Sequence, residues 1–314
     1  MSARTKTIRD ACNIWIKDCE RNNLERATLR SYRGHVDHHI DKKIGNLLVK
    51  DFSRSDVWDF LDELQDEGSS RTMVKKVLGS LRAAMDRAVQ REWVEHNVVR
   101  DVKLKRNRRD EDERIIPTKD EIRIMLKKVP DRHRPLIVTA IFTGMRISEL
   151  RGLTWDCVDF ERGLIHVQKR ADRFNDMGKP KSRSGRRSIP MAPLVVSTLQ
   201  EWRLACPIGE LDLVFPNGKG KIENHSNIHN RVLVPLLIDC GIVDGEGRPK
   251  FSFHALRHAA ASLFIEQNWP PKKIQTLLGH ASINMTMDVY GHLFESPEED
   301  VELFAKLEGD LLAA

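Results

Sequence analysis

Three kinds of pattern are missing from this 314-residue sequence, and each absence excludes a class of protein. It contains no run of about 18 apolar residues, which argues against a membrane-spanning helix, and its N-terminus lacks the apolar core of a signal peptide. Its five cysteines form no CxxC pair, which is typical of reduced, buried thiols and not of a zinc ribbon or a redox motif. No GxxxxGKS/T pattern occurs, so a nucleotide-binding P-loop is excluded. We therefore predict a cytoplasmic protein that does not associate with membranes.

The charge is distributed unevenly along the chain. The formal net charge is +6, yet residues 291–314 hold one basic and seven acidic side chains. Without that acidic tail, the remaining chain carries a net charge of +12. A basic protein of this kind suits a polyanionic partner such as DNA, although many basic proteins bind no nucleic acid.

Apolar spacing divides the chain into a helical first part and a mixed second part. Apolar residues recur at helical spacing from Ile8 to Ala88, and the segment SRSD at Ser53–Asp56 has the form of a helix N-cap. The charged segment that begins at Lys103 has the composition of a linker, and TKDE at Thr118–Glu121 predicts a capping box before a new helix. Strands are predicted at TWDCVDF, GLIHVQ and RRSIPM, with helices from there to the C-terminus. These patterns predict a helical domain over 1–104, a linker over 105–116, a second domain over 117–294 and a tail helix over 295–314.

Basic side chains in two parts of the sequence are candidates for contacting DNA. On the helices of the first domain they lie away from the apolar stripe, where a solvated face and a DNA-facing surface fit the pattern equally well. A second group lies in the loop GKPKSRSGRRSIP, whose simplest explanation is a solvated loop tip. The predicted DNA contacts are Arg30, Arg33, Lys75, Lys76 and Arg82 in the first group and Arg183, Arg186 and Arg187 in the second.

Two histidines and an arginine share one helix face in the segment FHALRHAAASLF. His254 and His258 are four residues apart, which can hold a metal, while Arg257 lies between them, so that the same face could instead hold a phosphate. A zincin pattern requires Glu directly after the first histidine, but Ala255 stands there, and no third ligand occurs at a recognisable spacing. Arginine carries a permanent charge and a planar fork suited to phosphate oxygens. The sequence therefore favours a phosphate clamp and predicts no metal site.

Two further polar residues need an explanation. Arg146 follows a Thr-Gly turn after an apolar helix, where it could cap a helix end or pair with Glu149 three residues later. Tyr290 lies between polar helical stretches near three histidines, whereas the only other tyrosine, Tyr32, lies in an apolar helical stripe. Without further information, Tyr290 is expected to be a surface or half-buried tyrosine.

Four separated segments of this sequence resemble, in order, the signature blocks of the tyrosine recombinases, the family of the phage integrases and the Xer and Cre recombinases. TGMRISEL resembles the first arginine block, HALRH the HxxR block, LGH the third block and YGHLF the block of the nucleophile. The loop PKSRSGRRSIP resembles the hairpin that carries the lysine of the family. Each block alone is a weak signal, but their order and spacing from Arg146 to Tyr290 are specific.

The resemblance implies a chemical role for these residues. Tyr290 would attack a DNA phosphodiester and form a 3′-phosphotyrosyl link, while Arg146 and Arg257 would bind the non-bridging oxygens. A phenol with a pKa of about 10 needs a proton acceptor or a strongly positive site in order to react near neutral pH. His254 and His280 would donate hydrogen bonds to the phosphate, and one of them could accept the proton of the tyrosine.

The resemblance assigns roles to Lys181 and Glu149, and the position of His258 on the helix suggests its role. Lys181 would protonate the departing 5′-oxygen, although Lys179 lies two residues away on the same loop. Glu149 would orient Arg146, and His258 would support or pack the helix of the active site. The scheme requires no metal, ATP or other cofactor, since the phosphotyrosine conserves the energy of the broken diester.

The resemblance also implies the fold and the partners. It predicts a multi-domain, mainly α protein, in which a SAM-like helical core-binding domain precedes a mixed α+β, mostly helical catalytic domain with a small antiparallel sheet. The partners would be double-stranded DNA attachment sites, on which a homotetramer assembles by exchanging the tail helix. The free protein could be a monomer, and accessory directionality or DNA-bending proteins could take part.

The segment MTMDVYGHLF resembles the phage-integrase branch more than Xer proteins. We therefore predict an enzyme that integrates or excises a prophage or mobile element in the bacterial cytoplasm or nucleoid. Two alternatives use the same fold. One is a DNA strand transferase similar to type IB topoisomerases, and the other is a DNA-binding protein without catalytic activity.

Overall fold

The computed structural model describes residues 5–105 and 115–293, apart from the side chain of His292. The chain divides into two compact units, Met1–Asp112 and Glu113–Ala314, which we call the first and the second unit. The predicted tail helix over 295–314 and most of the predicted linker over 105–116 lie outside the described residues, so these boundaries remain predictions. Within the two described ranges, no helix is long and apolar enough to cross a membrane.

The first unit is built from helices around one apolar core. Its elements are α1 (Ile8–Arg21), α2 (Arg26–His35), a π-helical turn (Val36–Ile40), α3 (Asp41–Ile44), α4 (Arg54–Asp66), α5 (Arg71–Gln90) and a 3₁₀ turn (Val98–Asp101). Ser53 caps α4 through its side chain, and the carboxylate of Asp56 accepts from the backbone N–H of Ser53 at 2.8 Å. The helix N-cap predicted at this position is confirmed, and it takes the form of a capping box.

The second unit is mostly helical. Its helices are α6 (Lys119–Lys128), α7 (Arg134–Thr143), α8 (Ile147–Arg151), α9 (Pro193–Ala205), α10 (His225–Asn227), α11 (Val234–Asp239), α12 (His254–Glu266), α13 (Pro271–Leu278) and α14 (Ile283–Tyr290). A π-helical turn at Ile228–Leu233 connects α10 to α11. The capping box predicted at Thr118–Glu121 is present at the start of α6 and is confirmed.

The described residues of the second unit also form five short strands: β1 (Val158–Asp159), β2 (Leu164–Val167), β3 (Arg170–Ala171), β4 (Met177–Gly178) and β5 (Arg187–Pro190). One antiparallel sheet has the order β1-β2-β5, with Ile165 opposite Ile189. These are the three predicted strands. The second sheet, β3-β4, is missing from the sequence prediction, because its two-residue strands lie in a polar stretch, whereas the equally short β1 lies in the segment TWDCVDF. The predicted mainly α fold with a small antiparallel sheet is confirmed.

Helix α7 occupies the centre of the second unit and sets the position of the site residues that follow it. Its residues from Pro135 to Ile141 are all buried, and it packs against α9 and α12. The helix ends at Thr143 and is capped by Gly144, whose φ is +61°. A Cβ atom at Gly144 would lie 2.7 Å from Cδ2 of Leu278, so both the backbone angle and the close packing require glycine.

Candidate active site

Arg146 precedes helix α8 and is held there by Glu149. The backbone N–H of Arg146 donates to Oε2 of Glu149 at 3.0 Å, and its Nη1 donates to Oε1 at 2.9 Å. Its Nη2 donates to the carbonyl of Gly279 at 3.0 Å. The helix-end and ion-pair explanations of Arg146 are therefore both correct. Because 32% of its side chain stays exposed, the guanidinium can still reach a ligand.

Glu149 is also paired with Arg187. The Nη1 and Nη2 atoms of Arg187 donate to the two carboxylate oxygens at 3.2 and 2.9 Å, and both side chains are 3% exposed. The solvated-loop explanation is therefore wrong for the side chain of Arg187, and its contact with DNA stays a prediction. Side chains alternate between the two faces of a strand, so Arg187 shares the inward face of β5 with Ile189. This alternation is the one feature of the sequence that could have predicted the inward position of Arg187.

Arg257 joins three helices from a buried position on α12. The residue is 4% exposed, and its Nη1 and Nη2 each donate at 2.7 Å, to the carbonyls of Gly144 and Leu278 respectively. Burial and the charge of Arg146 lower the pKa of Arg257 to about 9. The guanidinium therefore remains charged at neutral pH, and the ends of α7 and α13 fix its direction.

Arg146, Arg187, Arg257 and Glu149 form one cluster. Its described residues carry three guanidinium groups and one carboxylate. Burial alone would raise the pKa of Glu149, but the hydrogen bonds and charges of Arg187 and Arg146 outweigh it and hold that pKa below its usual value. Glu149 is therefore ionised at neutral pH, and it balances one of the charges of Arg146, Arg187 and Arg257. Charges that are removed from water need an opposite charge nearby. The positive charge that Glu149 does not balance therefore favours the binding of an anion.

His280 lies beside the arginines, directly after the left-handed turn at Gly279. A Cβ atom at Gly279 would lie 2.9 Å from the carbonyl oxygen of Ser184, so the segment between β4 and β5 passes close to this turn. The Nδ1 atom of His280 is 2.9 Å from Oγ1 of Thr286. Burial and the charges of Arg257 and Arg146 lower the pKa of His280 to about 3. Its ring is therefore neutral at pH 7.

Tyr290 is buried, with 1% of its surface exposed, and it packs in a cluster with Ala261, Ile265 and Ile274. The expectation of a surface or half-buried tyrosine is wrong, because α12 and α13 pack against its ring. The Oη atom of Tyr290 lies 2.7 Å from Nδ1 of His258. Sequence reasoning gave His258 only a supporting or packing role. Its spacing from His254 placed it on the correct helix face, but nothing in the sequence brought α14 to that face.

The other predicted site residues are exposed. His254 begins α12, and its ring lies edge-on to that of His258, with 4.9 Å between the ring centroids. Lys179 and Lys181 are both exposed on the segment between β4 and β5, so the choice between them stays a prediction. Among the residues that the structure describes, no group of three or more His, Cys, Asp or Glu side chains could hold a metal ion.

The remaining predicted DNA contacts are distributed over both units. Arg33 donates to the carboxylate of Glu20, and Arg82 donates to the carbonyl of Val102 at 3.2 Å. Their roles and those of the other basic residues stay predictions. The exposed members of the group are Arg30, Arg33, Lys75, Lys76, Arg183 and Arg186.

Comparison with known proteins identifies the family of this chain. Residues 108–296 match the phage integrase family, and residues 7–65 match the SAM-like N-terminal domain of phage integrases. The chain belongs to the phage integrase family. It is a site-specific recombinase of the tyrosine type, and the resemblance of its four sequence blocks to that family is confirmed.

Relatives of this recombinase extend the match to most of its length. It is 24% identical to the tyrosine recombinase XerC-like protein of Caldanaerobacter subterraneus subsp. tengcongensis, over 91% of this chain and 79% of the relative. Its fold is similar to that of the Tn1549 transposon integrase in complex with a circular intermediate DNA (TM-score 0.81, 24% identity, 95% of this chain and 99% of that one). The lambda integrase tetramer bound to a Holliday junction is also similar (TM-score 0.70, 20% identity, 90% and 79%). The predicted arrangement of a SAM-like domain before a recombinase domain is confirmed.

Proposed function

We propose that this recombinase cleaves and rejoins double-stranded DNA through a covalent bond between Tyr290 and a 3′-phosphate, and that it thereby integrates or excises a mobile element. The observation that carries the proposal is the excess positive charge of Arg146, Arg187 and Arg257 next to Tyr290. A phosphodiester supplies the opposite charge that this cluster requires. Its phosphorus is also an electrophile that a phenol oxygen can attack.

In this proposal, Arg146 and Arg257 hold the two non-bridging oxygens of the scissile phosphate. Both guanidinium groups are fixed by backbone carbonyls before DNA arrives, so little reorganisation accompanies the build-up of charge on those oxygens. His280 remains neutral and can donate from Nε2 when the hydroxyl of Thr286 donates to Nδ1. His254, exposed at the start of α12, is the second imidazole donor.

The bond changes balance without a cofactor. The Oη atom of Tyr290 forms a bond to phosphorus, the bond between phosphorus and the 5′-oxygen breaks, and that oxygen takes a proton from Lys181, with Lys179 as the alternative donor. The reverse attack by the 5′-hydroxyl of a partner strand forms a new diester and releases the tyrosine. The energy of the original diester bond is conserved throughout.

The proposed partner is an attachment site in double-stranded DNA, on which four copies of the chain assemble. Exposed basic residues on both units support DNA binding, and similar integrases have been solved on DNA, one of them as a tetramer on a Holliday junction. We propose that a free monomer assembles by exchanging the segment 295–314, with accessory proteins setting the direction of the reaction. The domain division at 1–104 and 117–294 and the action in the bacterial cytoplasm or nucleoid belong to the same proposal.

The test is the capture of a covalent adduct. The protein is incubated in EDTA with a pool of nicked duplexes whose central sequence is randomised, and the products are separated on a denaturing gel. We expect the wild type and Tyr32→Phe to form an adduct and Tyr290→Phe to form none. Tyr32→Phe is the matched control, because Tyr32 is the only other tyrosine in the chain.

Three other results would contradict the proposed function. An adduct in Tyr290→Phe would assign the nucleophile to another residue. DNA binding by the wild type without any adduct would favour a binding protein that lacks catalytic activity. Relaxation of supercoiled DNA without strand exchange would favour the topoisomerase-like alternative.

A further inference from the structure

The last residue of α8, Arg151, is not one of the candidate catalytic residues, yet it is 2% exposed and its guanidinium reaches the β3-β4 hairpin. The two candidate proton donors, Lys179 and Lys181, lie just after the end of this hairpin. We propose that Arg151 is a positioning residue, which fixes the hairpin to α8 and thereby holds the donor lysine in place for the departing 5′-oxygen. The inference rests on the proposed function, in which one of these lysines protonates that oxygen.

The guanidinium of Arg151 binds both the turn of the hairpin and a second segment of the chain. Its Nη1 donates to the carbonyl of Asp172 at 3.0 Å, and its Nη2 donates to Oδ1 of Asn175. Its Nε donates to the carbonyl of Glu223 at 2.6 Å. Burial lowers the pKa of Arg151, while the charges of Asp172 and Glu223 oppose this shift. Because a buried guanidinium is costly unless its donors are bonded, these acceptors hold the side chain in one position.

The backbone at the end of α8 also touches the hairpin directly. The helix packs against β3, and a Cβ atom at Gly152 would lie 2.5 Å from the carbonyl carbon of Arg170. Glycine is required for this approach, since the atoms it meets belong to the backbone of a strand and cannot turn aside as a side chain can. Two separate features, the guanidinium of Arg151 and the missing side chain of Gly152, therefore fix the hairpin to the same end of the helix.

The hairpin transmits the position of its turn to Lys179. In the turn, Asn175 has a left-handed φ of +66°, and Oδ1 of Asp172 accepts from the backbone N–H of Phe174 at 2.7 Å. Strand β4 then pairs with β3 and leads to Lys179, whose carbonyl accepts from Nε of Arg170 at 3.0 Å. A displacement of the turn therefore displaces the backbone that carries the lysine.

Helix α8 connects this lysine segment to the arginines of the site. Arg146 caps the start of the helix, where Glu149 binds it, and Arg151 is the last of its five residues. A general acid must lie within hydrogen-bond distance of the leaving oxygen, and a misplacement of about 1 Å costs about 10²-fold in rate. One short helix thus sets the distance between the groups that bind the phosphate and the group that protonates the leaving oxygen.

The test compares two leaving groups in single-turnover adduct formation. The duplex has the sequence that the wild type selects from the randomised pool, and it carries either oxygen or sulfur at the 5′-bridging position of the scissile phosphate. An oxygen leaving group needs a proton, whereas a thiol, with a pKa of about 8.5 in cysteine, leaves as the thiolate without one. A displaced lysine therefore slows only the oxygen substrate, but a general disturbance of the site slows both.

Two variants displace the hairpin to different extents. We expect Arg151→Lys, which keeps the charge but not the planar fork, to slow the oxygen substrate by about 10²-fold and to leave the sulfur substrate near the wild-type rate. Asn175→Gly removes one acceptor of Arg151 and keeps the left-handed turn, so it should slow only the oxygen substrate, by about 10-fold. The matched control is Asn268→Gly, which replaces another exposed, left-handed asparagine (φ +54°) of the same unit and should change neither rate.

A double-mutant cycle connects Arg151 to the lysine. Of Lys179→Ala and Lys181→Ala, the variant that slows only the oxygen substrate identifies the donor. Adding Arg151→Lys to that variant should cause no further loss, because the position of an absent donor no longer matters. A further loss of about 10²-fold would overturn the proposal, since Arg151 would then act on another part of the site.

The remaining outcomes separate this inference from the proposed function. Equal slowing of both substrates by Asn175→Gly, or unchanged rates in both hairpin variants, would overturn the positioning role while adducts still form. Circular dichroism checks the fold of Arg151→Lys, and Asn175→Gly carries the test alone if that variant does not fold. The absence of any adduct in the wild type, by contrast, would contradict the proposed function itself and this inference with it.

Discussion

The two units treat buried polar groups differently. In the described residues of the first unit, no Lys, Arg, Asp or Glu is buried, and its core is apolar apart from a few neutral polar groups. The second unit buries Glu149, Arg151, Arg170 and Arg257. Removing a charge from water costs several kcal/mol per ion unless hydrogen bonds and an opposite charge compensate. In the second unit, two of these buried residues, Glu149 and Arg257, belong to the cationic site, so part of this cost holds that site in place.

The largest effect should follow from removing one of the buried charges. We expect Arg257→Ala to slow single-turnover adduct formation by about 10³-fold, because one preorganised donor to the developing phosphate charge is lost. Arg257→Lys should fall between this variant and the wild type, since it keeps the charge but not the two carbonyl bonds. Circular dichroism checks that the helices are intact. A rate close to that of the wild type in Arg257→Ala would remove this residue from the site.

The next largest effect should be a loss of stability in the second unit but not in the first. We expect Glu149→Gln to lower the free energy of unfolding by about 3–5 kcal/mol, because Arg187 would lose its buried carboxylate. Urea unfolding measures the loss, and hydrogen exchange on α7 should assign it to the second unit. Protection that falls equally on α5 would contradict the picture of a charge cluster confined to the second unit.

The same residue should make stability depend on pH. The pKa of Glu149 lies below its usual value, so its ion pairs stabilise the fold above the ordinary glutamate pKa of about 4.3. This stabilisation is lost as the pH falls through the lower pKa of the folded state. We expect the unfolding free energy of the wild type to decline more steeply at acid pH than that of Glu149→Gln. Parallel curves for the two proteins would show that Glu149 is not the group that titrates.

A smaller effect should come from exposed charges of the first unit. If Lys75 and Lys76 each contact a DNA phosphate, replacing both by alanine lowers the slope of log affinity against log salt concentration by about 2. Binding titrations at several salt concentrations measure the slope, and unfolding curves should be unchanged because both side chains are exposed. An unaltered slope would place the DNA-facing surface of the first unit elsewhere.

The smallest effect should come from a surface ion pair of the first unit. The side chains of Arg33 and Glu20 are bonded to each other but remain 54% and 40% exposed. We expect Glu20→Gln to change the free energy of unfolding by less than about 1 kcal/mol, because water screens such pairs. This substitution matches Glu149→Gln in chemistry and differs from it in burial. A loss as large as that of Glu149→Gln would break the contrast between the two units.

Several features could be predicted because they depend on neighbouring residues. The capping boxes at Ser53 and Thr118 need only residues three apart, and β2 and β5 of the larger sheet show alternation over four residues. The pairing of Arg146 with Glu149 depends on one turn of helix. The four recombinase blocks are likewise short and contiguous. Sequence by itself therefore determined the family, the main elements and most of the candidate catalytic residues.

Other features depend on contacts between segments far apart in the chain. Arg187 reaches Glu149 across 38 residues, and Tyr290 reaches His258 across 32. Whether a polar side chain faces solvent or a partner is decided by how helices and strands pack, since each element alone offers several faces. The tertiary structure thus decided that Arg187 belongs to the interior, that Tyr290 is buried, and which histidine its hydroxyl contacts. The physical reason is that burial and hydrogen bonding are properties of packed surfaces, which no local spacing specifies.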